Sequence, residues 1–170
     1  MTYDSRADTL LHSQRVGELM IALVKEMLDR SHCHDRSKTQ SPEVEYFDEW
    51  TPKLKGLTYG SDEYRAALAA MRPALDHHYA VQRHHPEHGA HGVNDMTLVD
   101  LVEMLADWKA ATERHSDGAL GKSLLINQER FAMSEQLVRI LENTAIEFGW
   151  IQERVLPSLD APGHGGVASA

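Results

Sequence analysis

A single cysteine, Cys33, leaves this chain no partner for an internal disulfide. Its fold must rest on burial rather than covalent staples, and it suits a reducing compartment. No segment approaches the roughly 20 consecutive apolar residues of a membrane span, and the longest apolar patches, 20–24 and 98–105, are bounded or broken by charge. The opening MTYDSRADTLLHSQR lacks the basic start and apolar core of a secretory signal, so the expected location is cytoplasmic, with no membrane partner. Cationic side chains are scarce: 17 Lys and Arg against 26 Asp and Glu give a net charge of −9. That balance argues against general nucleic-acid binding, which needs a basic surface to neutralise phosphates. A nucleotide substrate stays open, because a bound metal and a few Arg or Lys can make a local positive site. Also missing are a GxGxxG turn, a Walker-type loop and a nucleophile elbow.

What is present is helical periodicity. Val16, Leu19, Leu23 and Met27, with Met20 and Val24 beside them, predict a first helix over roughly residues 6–32. Ser41-Pro42-Glu43 reads as a helix start, with Ser as N-cap, Pro at the first position and an acid in the first turn. Thr51 to Gly60 reads as a loop. Ser61 is placed to cap a long helix toward His85, kinked at Pro73. Further helices are predicted around Leu98–Trp108 and Leu137–Ile151. No alternating strand pattern of useful length occurs. The expectation is an all-α, single-domain helical bundle over 1–156, with 157–170, rich in Gly, Ala and Ser, as a disordered tail.

The histidines and aspartates carry the chemistry. His12 stands early, the adjacent pair His34-Asp35 follows, then His77, His78, His84, His85, His88 and His91, then Asp107. Imidazole and carboxylate suit a hard-to-borderline divalent ion, and a two-metal site needs about five or six of them. Adjacent helical residues diverge by about 100°, so His34 and Asp35 converge only at a helix end; otherwise they are a solvated surface pair. His77 and His84 share a helix face seven residues apart, as do His78 and His85; the competing reading is an exposed His-rich helix end. Asp107 lies near an apolar stripe and requires a partner, either a metal or a buried cation. His88 and His91 read as solvated loop residues, and His32, His115 and His164 have only their residue type to support them.

Assembled in this order, the residues resemble the His…His-Asp…Asp motif of the HD-domain phosphohydrolase superfamily, carried by His12, His34, Asp35 and Asp107. His34-Asp35-Arg36-Ser37-Lys38 is similar to its HD-x-x-K version. More narrowly, HDRSK, HHPEH and EMLADWKAA resemble a small HD-like family of phage and bacterial genomes, over roughly residues 10–145. The resemblance implies an HD-type helical bundle, and one or two divalent ions (Mn, Co, Zn, Fe or Mg) on His12, His34, Asp35, His78, His84, His85 and Asp107. The loop at 51–60 leaves His77 or His78 open as the ligand. It also implies hydrolysis of a small phosphate ester or anhydride, a nucleotide by analogy, and it allows a homo-oligomer.

Metal and resemblance agree on metal-assisted hydrolysis. Asp35 would bridge ions or orient water, Lys38 and Arg15 would bind phosphate oxygens, and Glu43 or Glu45 would orient ligands or shuttle a proton. A solvated lysine and ordinary helix-start acids are the plainer readings. Arg72, Arg83, Lys109 and Arg114 are weaker phosphate candidates. Trp50, Tyr79 and Trp108 could stack on a base but are more often core. The alternatives are a diiron oxygenase of the same cage, and a non-catalytic metal- or nucleotide-binding protein.

Overall fold

The computed structural model describes residues 3–58, 61–114 and 118–157, and all of its regular structure is helical, with no strand among the described residues. The first helix, α1 (Arg6–Cys33), runs 28 residues, close to the predicted span. It stops at His34, whose ψ of 129° leaves the helical region, and Asp35 then takes a left-handed backbone (φ 55°), which short polar side chains tolerate better than most. A 3-10 turn over Arg36–Thr39 follows.

Next comes α2 (Val44–Leu54), so the start of the expected 51–60 loop, through Leu54, is helix. The predicted Ser41 cap is not used. Ser41-Pro42 is a cis peptide and Glu43 precedes the first helical residue, its side chain committed elsewhere. Ser61 does cap α3 (Asp62–Ala70), accepting from the Tyr64 amide at 3.1 Å. The long helix expected from Ser61 is two helices, α3 and α4 (Arg72–Val81), parted at Met71. Pro73 lacks an N–H and its ring crowds the carbonyl of residue 69, so it serves as a start instead of a kink.

Two compact units divide the chain, 1–103 and 104–170, with the boundary inside α5 (Leu98–Thr112). In the first, Ala67, Met71 and Ala74 are buried together with Glu43, His78, His84 and Asp100, an unusually polar interior. The second holds α6 (Leu120–Arg130), unpredicted, and α7 (Glu135–Glu147), with Leu120, Leu124, Val138, Leu141 and Ala145 buried. Trp108 stacks on Phe131 there, centroids 6.2 Å apart, as a packing aromatic. Buried Glu142 accepts from the amides of Val155 and Leu156 at 2.5 and 3.0 Å and from Arg154 at 3.0 Å, pinning the segment after α7. Pro157, the first residue of the expected tail, accepts from Arg139 at 2.6 Å; the rest of that tail, 158–170, lies outside the described residues.

Candidate metal centre

The centre is built where α1 ends. His34 caps the helix and Asp35 turns the chain, so the two side chains converge as adjacent residues within a helix do not. Lys38, three residues on, holds Asp35 Oδ2 at 2.5 Å. Asp35 Oδ1, in contrast, is buried and accepts no hydrogen bond.

Around that oxygen stand three imidazoles. His78 comes from α4, whereas His84 and His85 lie beyond its end at Val81 and return through an extended turn at Gln82. The helical register foreseen for 78 and 85 is therefore replaced by a loop, yet the rings meet. His78 Nε2 is 3.2 Å from Asp35 Oδ1 and 3.0 Å from His85 Nε2, and His84 Nε2 is 3.6 Å from Asp35 Oδ1. With metal–nitrogen bonds of about 2.0–2.1 Å, ligand atoms in a tetrahedron stand about 3.3 Å apart, and these separations bracket that value. One atom from each of Asp35, His78, His84 and His85 lies within 4.8 Å of all the others. His84 Nε2, like Asp35 Oδ1, is buried without a hydrogen-bond partner, a costly state that a cation relieves. The residues present thus fit a divalent metal.

Two glutamates hold the rings. Glu43, fully buried, accepts from His77 Nδ1 at 2.7 Å, His78 Nδ1 at 3.0 Å and Ser37 Oγ at 2.9 Å. A carboxylate only accepts, so His78 carries its proton on Nδ1 and turns a lone pair on Nε2 toward Asp35 and His85. Glu103 Oε1 accepts from His34 Nδ1 at 2.9 Å and lies 3.2 Å from His84 Nδ1. These are the carboxylate–histidine pairs that orient metal ligands. Glu103 also forms, with His34 and His84, a second group of suitable donors that shares His84 with the first.

Behind Glu103, Arg30 spans Asp100 at 2.5 Å and Glu103 at 3.3 Å, and Arg83 grips Asp100 through Nε and Nη2 at 3.2 and 3.1 Å. Burial opposes ionisation of Glu103, but His34, His84 and Arg30 outweigh it and bring its pKa to about 2. In the same way burial works against Asp35 and Asp100. Lys38 holds Asp35, and Arg83, Thr97 and Arg30 hold Asp100, well below the usual carboxylate range. Depressed folded-state pKa values add stability above the unfolded value and lose it as pH falls through the folded one. Metal-free protein is therefore expected to hold its stability down to about pH 4.5 and to lose it steadily toward pH 2, followed by urea unfolding at each pH.

Of the predicted ligands, Asp35, His78, His84 and His85 meet in one group and His34 in the adjoining one. His78, not His77, faces the cluster; His77 is the outer ring on Glu43. His12 does not belong. It is exposed, and the 22 residues of unbroken helix separating it from His34 span about 33 Å. Arg15 is displaced for the same reason and pairs with exposed Glu18 at 2.8 Å. Asp107, one turn beyond Glu103 on α5, belongs to the second unit. Glu45 is exposed, His88 bonds the Tyr79 carbonyl, His91 pairs with Asp95, and His32 bonds the Leu28 carbonyl. Arg72 pairs with Asp76, Lys109 with Glu113, and Trp50 lies under Lys53. His115 and His164 fall outside the described residues. Glu103 and Asp100 were missed, although acids at 100, 103 and 107 in a helix otherwise rich in apolar residues form one stripe that calls for partners.

The chain belongs to DUF5662, a family of unknown function whose model matches residues 1–147. No curated protein and no solved structure matches it.

Proposed function

We propose that this protein is a metal-dependent phosphohydrolase acting on a nucleotide or a related small phosphate ester or anhydride. The observation that carries the reading is the convergence of Asp35 Oδ1 with the Nε2 atoms of His78, His84 and His85, two of these four atoms being buried and unpartnered. Three imidazoles and a carboxylate suit Mn, Fe, Co or Zn better than Mg, which prefers oxygen. Such an ion supplies Lewis acidity toward a phosphoryl oxygen and toward water.

The chain's own groups do the rest. Lys38 fixes Asp35 through Oδ2, leaving Oδ1 to the cluster, and places an ammonium charge beside it. Arg83, next in sequence to His84 and 52% exposed, is held on one edge by Asp100. Its guanidinium is thus a fixed cation beside the cluster, suited to a phosphate. Glu43 and Glu103 keep the rings aligned. The resemblance to HD phosphohydrolases supports the reading through His34-Asp35 and the later histidines, but not through His12.

The test is phosphate release from nucleoside mono-, di- and triphosphates and cyclic dinucleotides, using stripped protein reloaded with Mn, Co, Zn or Fe. Release from one class, dependent on metal and absent from Asp35→Asn, is the expected result. Silence across the panel with metal bound rejects the hydrolase. Oxygen uptake by the iron form would then favour the oxygenase, and substrate binding without turnover a binding protein.

A further inference from the structure

Helix α1 is 28 residues long and contains no buried residue. Long helices of proteins in water draw most of their stability from packing an apolar face, and α1 has such a face. At 100° per residue, Val16, Leu19, Met20, Leu23, Val24 and Met27 fall on one side, while Arg15, Glu18, Lys25, Glu26 and Asp29 fall on the other. Met20 and Leu23, near the middle, are 60% and 55% exposed. We propose that this face is covered by the same face of a second copy of the chain, in an antiparallel pair.

Three observations select that occupant. Ten exposed apolar side chains lie between Leu10 and Leu28. The six of them on the stripe present on the order of 500 Å² per copy, less than the about 800 Å² per partner of a standard interface and of the size that suits a reversible pair. The helix is also charge-balanced, with Arg6, Arg15, Lys25 and Arg30 against Asp8, Glu18, Glu26 and Asp29, so the chain's excess of −9 lies wholly outside it. Two copies therefore meet where mutual repulsion is least, and the balance provides no basic surplus to seat α1 on an anionic membrane.

The third observation is that the stripe is self-complementary about a point between Ile21 and Ala22. A two-fold axis there sets Val16 against the partner's Met27 and Met20 against the partner's Leu23. Ser13 and Arg30 are the equivalent polar positions at its two ends, Arg30 being held by Asp100 and Glu103 of its own chain, and a two-fold interface requires one patch to match itself in this way.

Light scattering coupled to gel filtration tests this on the full chain. The expected mass is about 38 kDa, twice the 19.1 kDa chain, falling to a monomer in the double variant Met20→Glu/Leu23→Glu. Leu98→Glu, at an exposed position on α5, is expected to leave the dimer intact. Hydrogen exchange on the unaltered protein gives a reading that does not depend on the variant folding: amides of residues 16–28 should gain protection on raising the concentration from about 1 to 100 μM. A monomer throughout that range, or a dimer that survives in a folded double variant, overturns the proposal.

Discussion

Replacing Asp35 by Asn is expected to abolish divalent-metal binding while leaving the fold in place. Asn keeps the shape and tolerates the left-handed backbone at this position, so the substitution removes charge without adding strain. What is lost is the one anionic donor among three imidazoles, and affinity for Mn, Co or Zn should fall at least about 100-fold, beyond the 10–100-fold typical of an outer partner. In the unaltered protein, metal at 100 times its Kd should raise Tm by roughly 5–10 °C. Asp35→Asn should show no such rise at the same concentration. A rise that persists in the variant would place the ion elsewhere.

The second large effect is expected from Glu43→Gln, which touches no ligand atom of the cluster. Glu43 accepts three hydrogen bonds with no access to water. Glutamine offers one accepting oxygen and turns an NH₂ toward an imidazole N–H, donor against donor. The relief open to His78 is to move its proton to Nε2, which takes away the lone pair directed at Asp35. Metal affinity should drop about 10–100-fold, and stability by about 1–3 kcal/mol for the buried groups left unpaired. Nitrogen-15 NMR of the imidazoles reads the tautomer directly. His78 unchanged, together with unchanged affinity, would show that Glu43 merely fills space.

Helix α1 and the all-α class were legible because a stripe repeated over about three turns, from Val16 to Met27, leaves little ambiguity. The convergence at His34-Asp35 was legible for a related reason, since only a helix end lets neighbours face one point. Distance along the chain was not respected for His12, although the predicted helix over 6–32 already fixed it about 30 Å from the pair. Helix α6 escaped notice because Gly121 and Asn127 share its buried face with Leu120 and Leu124, leaving a thin apolar signal. Glu43 looked like a first-turn acid, and only the fold reveals that it lies under α4 residues His77 and His78. A sequence identifies candidate ligands by type, whereas the groups that aim them come from elements distant in the chain.

The ion pairs around the cluster set an order of events. Asp35 pairs with Lys38, Asp100 with Arg30 and Arg83, and Glu103 with Arg30, while Glu43 faces imidazoles, so with neutral imidazoles the neighbourhood carries one net negative charge. A phosphate anion meets repulsion there. Two positive charges added at Asp35 invert the sign, and the same cluster then attracts what it had turned away. For the proposed phosphohydrolase, substrate binding should therefore be sequential, metal first.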